Sequence, residues 1–329
     1  MKKRMLGRTD MEVTLPGLGC MGMSFAYGAT DDDLSRATLK RAFEEGVDFY
    51  DTADMYGSGH NEKLLAGFIA DKRDKLILAT KFGIRRKPGE YAQEIDNRPE
   101  YVMEACDASL KRLGTDHIDL YYMHRRNPDV PVEDSVGAMS RLVDAGKVRA
   151  IGLSEVNEDT LRRAHAVHPI TALQSEYSLW TRDPEENGVL DACRDLGISF
   201  VAYSPLGRAF LTGTASDPAA FGKDDFRSIL PRFNGEAAER NTTLVDRLKA
   251  FAGDKDATPA QIALAWLVEK NDIVIPIPGT RREKYLMENI AAMDIALSAD
   301  EIAMLDGIFD PAAIAGDRYT EEGMKGVGR

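Results

Sequence analysis

Four polar residues stand at the ends of three consecutive apolar runs, and their side-chain types could transfer protons. Asp51 directly follows the run VDFY, and Tyr56 stands five residues after it. Lys81 follows KLILAT, and His124 follows HIDLYYM. A carboxylate, a phenol, an ammonium and an imidazole would form one proton-transfer group if the fold brought these ends together.

These four side chains suit the protonation of a developing alkoxide. The ordinary pKa of tyrosine, ~10, is high for proton donation at neutral pH. We expect the Lys81 ammonium to lower the pKa of Tyr56, and Asp51 to keep Lys81 charged and oriented. His124 could donate a hydrogen bond to the substrate oxygen. The set fits carbonyl reduction with hydride from a bound cofactor.

Each of these residues also has an ordinary structural explanation. Asp51 could cap a turn, and Tyr56 could be a rim aromatic next to Gly57. Lys81 could be solvated at a strand end, and His124 could be a buried core histidine. Their occurrence together, in order, at successive strand ends favours the functional interpretation.

Short apolar runs alternate with amphipathic stretches along the whole chain of 329 residues, with no linker between them. The runs are rich in β-branched and aromatic residues, as strands buried on both faces require. With a first strand near TLPGLG, eight strand–helix units predict a single α/β domain over 1–329, a (β/α)8 TIM barrel. Catalytic groups of such a barrel come from the C-terminal ends of its strands. The other predicted strands are 47–50, 75–80, 117–123, 148–153, 170–173, 198–203 and 273–277.

Three further segments have predicted places in this barrel. The N-terminal MKKRMLGRTDMEV is typical of a short hairpin, which would close the barrel bottom. Residues 206–257 are too long for a plain loop and predict an excursion over the barrel top. The polar C-terminal tail, residues 310–329, is expected to fold over the same active-site face.

The stretch GLGCMG, residues 17–22, matches the glycine fingerprint of the Rossmann fold, G-x-G-x-x-G. That fingerprint requires a helix directly after it and an acidic residue about 20 residues on. Here the glycines lead into MSFAYGATDDD, and the expected acidic position is filled by Leu39, Lys40 and Arg41. We therefore expect these glycines to mark the first barrel strand and its loop, where backbone approaches another group.

Composition excludes several classes of function. A formal net charge of -12 argues against a nucleic-acid partner, and no apolar run is long enough to cross a bilayer. The three cysteines are too scattered for a disulfide framework or a thiolate metal site, and HAVH has no further ligand at metal spacing. We expect a cytoplasmic protein that acts on a small molecule and has no metal.

Two other enzyme classes fail on specific residues. A metal-dependent hydrolase barrel would need H-x-H, which the sequence lacks. A short-chain dehydrogenase would need Y-x-x-x-K after a Rossmann start, and no tyrosine is followed four residues later by lysine.

Several longer motifs together resemble the aldo-keto reductases, in family order and over nearly the whole chain. They are GVDFYDTADMYGSGHNEKLLAG, LATKFG, DLYYMH, GKVRAIGLSE, LQSEYSLW, VAYSPLGRAFLTG and IPIPGTRREKYLMENI. The resemblance is closest to the bacterial and plant branch with AYSPLG and IPIPGT. It implies the (β/α)8 barrel, NADPH rather than NADH as cofactor, and an oxidoreductase of small carbonyl compounds. It also implies Tyr56 as the acid/base, with Asp51, Lys81 and His124 completing a tetrad.

The resemblance further implies a set of cofactor contacts. Ser154 and Gln174 match the residues that hold the nicotinamide carboxamide, and Tyr203 matches the aromatic that stacks on the nicotinamide ring. Ser204, Pro205, Leu206 and Gly207 fall in the loop that covers the pyrophosphate. Gly279, Thr280, Arg281, Arg282, Glu288 and Asn289 match the adenosine-phosphate segment. Gly22, Met23 and Asp51 complete the candidate cofactor contacts.

The sequence departs from the family pattern at two places. Glu155 follows the nicotinamide serine where many members have asparagine, and PGTRR replaces the lysine loop of animal members. A guanidinium in PGTRR can pair with a 2′-phosphate, so Arg281, Arg282 and Lys284 are all open candidates. Alternatively, the arginines of this segment only form the charged first turn of a helix.

The resemblance leaves a second kind of function open. Some family members are nucleotide-binding regulatory subunits of potassium channels, and these keep the tetrad. Slow turnover with tightly held cofactor would distinguish such a redox sensor from a free-standing reductase. Substrate choice is expected to lie in the loops at 21–27, 83–98 and 206–240 and in the tail near Arg318 and Tyr319.

Overall fold

The computed structural model of the chain describes residues 1–85, 94–214, 221–222, 225–324 and 326–328. Eight parallel strands follow one another in a single sheet, in chain order from the first to the last. A parallel bridge between Gly19 and Gly279 joins the two edges of this sheet and closes the barrel. The predicted (β/α)8 fold is therefore confirmed. The barrel strands are β3 (Leu18–Gly19), β4 (Phe49–Asp51), β5 (Ile77–Phe82), β8 (Ile118–Met123), β9 (Val148–Ser154), β10 (Ala172–Glu176), β11 (Ser199–Tyr203) and β12 (Val274–Pro276).

The seam between β3 and β12 explains the glycines of GLGCMG. The Gly17 N–H donates to the Pro276 carbonyl at 3.0 Å, and a Cβ at Gly19 would lie 2.7 Å from the Ile277 carbonyl oxygen. A side chain at position 19 would force the strands apart. The fingerprint thus marks a close approach of backbone in a barrel, and the expectation against a Rossmann fold is confirmed.

Alternate residues of each strand face the barrel interior, because side chains along a strand alternate between its two faces. The first strand pair, β1 (Lys3–Met5) and β2 (Glu12–Thr14), is an antiparallel hairpin, as expected. Apolar side chains of this hairpin segment pack under the barrel and form its floor together with inward residues of the strands. The floor includes Leu6, Met11, Val13, Leu15, Phe49, Ala79, Leu120, Tyr122, Ala150, Val201 and Ile275.

The same alternation places the functional candidates one step above the floor. Asp51 is two residues beyond Phe49, and Lys81 is two residues beyond Ala79. The expectation that these residues follow the strands is corrected: each lies inside its strand, at the last inward position or close to it. β4 extends one residue and β5 two residues beyond their apolar runs, and the polar side chains at these strand ends are buried.

The predicted helices form where the sequence supplies start and stop signals. The Asp31 side chain accepts hydrogen bonds from two amides of the first turn of α1 (Asp32–Glu44), and Gly114 ends α3 (Pro99–Leu113) at a φ of 66°. Thr258 and Gln261 form a capping box at the start of α9 (Pro259–Lys270). The helices are α1 (Asp32–Glu44), α2 (His60–Ile69), α3 (Pro99–Leu113), α4 (Val132–Asp144), α5 (Glu158–Val167), α6 (Asp183–Glu186), α7 (Val189–Leu196), α8 (Gly235–Asp254), α9 (Pro259–Lys270), α10 (Glu283–Ala291), α11 (Ala299–Ile308) and α12 (Glu321–Met324).

The long segment 206–257 combines short turns with one regular helix. In the described part of this segment, three 3₁₀ turns precede α8, whose buried residues include Leu244, Val245 and Leu248. Residues 215–220 and 223–224 of this segment lie outside the described residues, as do 86–93 of the loop that begins at Gly83. The loop that begins at Gly83 also contains β6 (Ile84–Arg85) and β7 (Glu94–Ile95), which pair antiparallel.

The C-terminal tail lies against α8 and the segment that precedes it. The Arg232 side chain donates to the Gly316 carbonyl at 3.0 Å, and Asn241 bonds to the carbonyl and the amide of Ala315. Among the helices of the described ranges, none is both long and apolar enough to span a membrane.

Candidate active site

The Lys81 ammonium lies at the centre of the site and joins Asp51 to Tyr56. Its Nζ is 2.5 Å from Asp51 Oδ1, 2.7 Å from the Thr52 carbonyl oxygen and 3.2 Å from the Tyr56 hydroxyl. Lys81 is fully buried, and Asp51 and Tyr56 are only 2% and 7% exposed. The three N–H bonds of the ammonium are therefore all used, and its orientation toward the phenol is fixed.

The buried charges determine which groups are ionised. Burial alone would lower the pKa of Lys81, but Asp51 and Tyr56 raise it above its ordinary value, so the ammonium stays charged. Burial raises the pKa of Tyr56, and Lys81 only partly opposes this. The expected net lowering of the Tyr56 pKa is therefore wrong, because desolvation of the phenolate outweighs the attraction of the ammonium. Tyr56 is a protonated phenol at neutral pH.

The His124 imidazole faces the Tyr56 ring edge-on, with ring centroids 5.9 Å apart and an interplanar angle of 84°. Burial, with the nearby charges of Arg125 and Lys81, lowers the pKa of His124 well below its ordinary value. Its Nδ1 is buried and has no hydrogen-bond partner among the described residues. A neutral imidazole retains one N–H, which can donate to an uncharged carbonyl oxygen.

Ser154 and Gln174 are held by other polar residues of the site in complementary ways. Gln174 Nε2 donates to Asp51 Oδ2 at 2.8 Å, which leaves its Oε1 as an acceptor. Ser154 Oγ accepts from Arg125 Nη1 at 3.1 Å, which leaves its own O–H as a donor. A carboxamide presents one acceptor and one N–H₂ group, so this pair has the matching polarity.

Tyr203 ends β11 with its ring half-buried and its hydroxyl fixed at two points. The hydroxyl donates to Glu155 Oε1 at 2.9 Å and shares a hydrogen bond of 2.8 Å with the Tyr319 hydroxyl. Glu155 itself is 3% exposed, and its Oε2 accepts from Arg318 Nη2 at 2.7 Å. Glu155, which stands where many family members have asparagine, therefore connects the C-terminal tail to the barrel through its contact with Arg318.

The predicted pyrophosphate loop after β11 has two residues in the left-handed region. Ser204 has a φ of 48° and Gly207 a φ of 56°, and the Gly207 amide donates to the Ser204 carbonyl at 2.8 Å. Pro205 is buried and Leu206 half-buried. Near β3, Gly22 lies in a 3₁₀ turn and the Met23 side chain is fully buried, which leaves the Met23 backbone for the predicted contact.

The predicted adenosine-phosphate segment runs from the barrel seam into α10. Arg281 donates from Nη1 to the Ala29 carbonyl and from Nη2 to the Tyr27 carbonyl, at 2.6 and 2.9 Å. Arg282 and Lys284 are exposed. Thr280 Oγ1 accepts from the Arg282 amide at 3.1 Å, and within α10 Glu288 is half-buried and Asn289 buried.

Sequence reasoning missed Arg125 as part of this site and named Arg318 and Tyr319 only as tail residues. Arg125 directly follows His124, and that adjacency was the available signal. Arg318 is 163 residues from its partner Glu155, and no local pattern connects them. Across the described ranges, no three His, Cys, Asp or Glu side chains are grouped so that they could hold a metal ion.

Known proteins resemble this chain closely. A family model described as the Aldo/keto reductase family matches residues 17–310. The aldo-keto reductase yakc, NADP(+), of Schizosaccharomyces pombe is 42% identical over 307 residues, 92% of this chain and 90% of that protein. The probable aldo-keto reductase 1 of Glycine max is 43% identical over 318 residues, 95% of this chain and 90% of that protein. Among solved structures, a glycerol dehydrogenase of Gluconobacter oxydans superposes with a TM-score of 0.87 at 25% identity, covering 96% of this chain and 97% of its own.

Proposed function

Because the chain belongs to the aldo/keto reductase family, we propose that it reduces an aldehyde or ketone to the alcohol with NADPH. The observation that carries this proposal is the buried contact of one ammonium, Lys81, with both Asp51 and the Tyr56 hydroxyl. The relative named with NADP(+) supports the choice of cofactor.

In the proposed reaction, Tyr56 gives its proton to the carbonyl oxygen. The phenolate left behind would face the Lys81 ammonium at 3.2 Å, whose charge is maintained by Asp51. This ion contact stabilises the deprotonated acid when the proton leaves. His124, kept neutral by burial, donates its N–H to the same carbonyl oxygen and orients it.

NADPH would supply the hydride. Three features fit this cofactor: the carboxamide-matching pair Ser154 and Gln174, the half-buried Tyr203 ring, and the exposed cations after β12. Ser154 and Gln174 would fix the amide group of the nicotinamide, and Tyr203 would cover one face of its ring. Arg282 and Lys284 have no ion pair among the described residues, so they are available to a 2′-phosphate.

The test is NADPH consumption with a panel of aromatic and aliphatic aldehydes and cyclic ketones, for the wild type and Tyr56→Phe. The variant removes one hydroxyl and retains the ring that packs near His124. We expect turnover to fall by at least 100-fold, as for loss of a general acid, while NADPH affinity stays close to that of the wild type.

Two results would count against the proposal. Retention of most of the rate by Tyr56→Phe would remove the proton-donor assignment. No turnover of any carbonyl compound by a wild type that binds NADPH tightly would favour the redox-sensing subunit instead.

A further inference from the structure

Arg125 lies beside the proton donor but has no part in the proposed proton transfer. Its Nη1 donates to the His124 carbonyl at 2.7 Å and to Ser154 Oγ at 3.1 Å. These two bonds fix the guanidinium at the C-terminal ends of β8 and β9, on the active-site face. Its positive charge favours the ionised form of Tyr56, so it acts at the reacting end of the site.

Unlike Arg208, Arg227 and Arg318, Arg125 has no counter-charge in contact among the described residues. No carboxylate oxygen of the described residues lies within 4.0 Å of it. The acidic groups that raise the pKa of Arg125 are the Tyr203 and Tyr319 hydroxyls and Glu155, and the Glu155 carboxylate is already bound to Arg318. The paired arginines are Arg208 with Glu176 at 2.6 Å, Arg318 with Glu155 at 2.7 Å and Arg227 with Asp225 at 2.6 Å.

The free part of the guanidinium has a defined shape. With both N–H bonds of Nη1 used, Nε and Nη2 retain three N–H donors and have no acceptor among the described residues. Parallel N–H bonds of one guanidinium edge match the two oxygens of a carboxylate. The tail passes over this side chain, since a Cβ at Gly326 would lie 3.8 Å from Arg125 Cδ.

We propose that Arg125 binds a carboxylate of the substrate, so that the preferred substrates are aldehydes or ketones carrying a carboxylate apart from the reacting carbonyl. One uncompensated cation suits one negative charge. The inference rests on the proposed function, because Tyr56 and His124 are what fix the reacting oxygen next to Arg125.

The experiment compares two substrates of nearly equal shape, 4-carboxybenzaldehyde and 4-carbamoylbenzaldehyde. NADPH-dependent kcat/KM is measured for the wild type, Arg125→Gln and Arg125→Lys. The matched control is Arg126→Gln, which removes the next arginine, whose charge acts on Glu133 of α4. Comparing the ratio of the two substrates across variants cancels their intrinsic difference in reactivity.

We expect Arg125→Gln to lower kcat/KM for the acid by roughly 10- to 100-fold, mainly through KM, as for loss of a charge-assisted pair. The amide should fall by less than the acid, because it loses only the effect of the Arg125 contact with Ser154 and has no charge to lose. Arg125→Lys should recover part of the loss because it keeps the charge without the planar edge. Arg126→Gln should leave both substrates unchanged.

Equal losses on the acid and the amide would overturn the inference, since Arg125 would then act only on Tyr56 or Ser154. If the wild type reduced neither aldehyde, the proposed function would fail on its own. The inference is then decided by calorimetric titration of the NADP+ complex with benzoate and benzamide. Selective loss of benzoate binding in Arg125→Gln would support it, and unchanged binding would refute it.

Discussion

Replacing Glu155 with Gln should release the C-terminal tail while leaving the barrel intact. The buried carboxylate accepts from the Glu176 amide at 2.9 Å and from both Nη atoms of Arg318, at 3.3 and 2.7 Å. Although burial alone would raise it, the charges of Arg318 and Arg125 hold the pKa of Glu155 below its ordinary value. The ion pair is therefore present at neutral pH, and the isosteric amide removes its charge and replaces one acceptor oxygen with an N–H₂ donor.

The size of the effect follows from the burial of both partners. Side chains of Glu155 and Arg318 are 2% and 7% exposed, and breaking such a pair by removing one partner costs about 3–5 kcal/mol. Two other carboxylates, of Glu176 and Asp183, stay 3.9 and 3.8 Å from Arg318 and offset part of this. We therefore expect the lower end, about 3 kcal/mol, which is a shift of roughly 100-fold in the tail equilibrium.

Hydrogen exchange measured by mass spectrometry can locate this change. Amides of the tail, including Gly328, whose N–H donates to the Glu155 carbonyl at 2.8 Å, should exchange about 100-fold faster in Glu155→Gln. Peptides from β8 and β9 should exchange at the wild-type rate. Glu321→Gln is the control, since it removes an exposed tail charge. Unchanged tail exchange, or equal acceleration in tail and barrel, would refute the reasoning.

Two further predictions concern charge. In fluorescence titrations, Arg282→Ala should weaken NADPH binding by about 10-fold more than NADH binding, because its guanidinium is exposed and unpaired within the described residues. Arg281→Ala, whose guanidinium donates to backbone carbonyls, should weaken both cofactors alike; the opposite pattern would reassign the 2′-phosphate contact. Burial and the nearby charge of Glu62 raise the pKa of Asp54 to about 8, so the folded protein keeps a proton that the unfolded chain releases near pH ~4. Stability should therefore fall as pH rises from about 4 to 8. The Tm of Asp54→Asn minus the Tm of the wild type should increase between about pH 4 and 8 and stay constant above pH ~8. A Tm difference that does not change between these pH values would contradict the assigned pKa.

The barrel could be predicted because its signals are local. Each strand needs only a short apolar run, and each helix only an amphipathic stretch with a cap such as Asp31 or a stop such as Gly114. Parallel strands then bring their C-terminal ends to one face of the barrel. Asp51, Lys81 and His124 could be placed together for that reason alone.

Other features depend on contacts that no local pattern encodes. The helix α8 was predicted only as part of an excursion, although Leu244, Val245 and Leu248 repeat at helical spacing and could have indicated it. The ion pair of Glu155 with Arg318 joins residues far apart in sequence. The Tyr56 pKa depends on how deeply the phenol is buried, and the residues next to Tyr56 in the sequence do not determine that depth.

The two oxygens of Asp51 have different partners, and this couples the proton-donor part of the site to the predicted cofactor contact at Gln174. One oxygen accepts from Lys81, which faces the acid Tyr56, and the other accepts from Gln174. A substitution at Gln174 therefore alters the field felt at Lys81, and effects of changes at the two positions will not add. In evolutionary terms such a carboxylate creates epistasis. The effect of a substitution at position 174 on activity will depend on which residues surround Lys81 and Tyr56, since Asp51 contacts both Gln174 and Lys81.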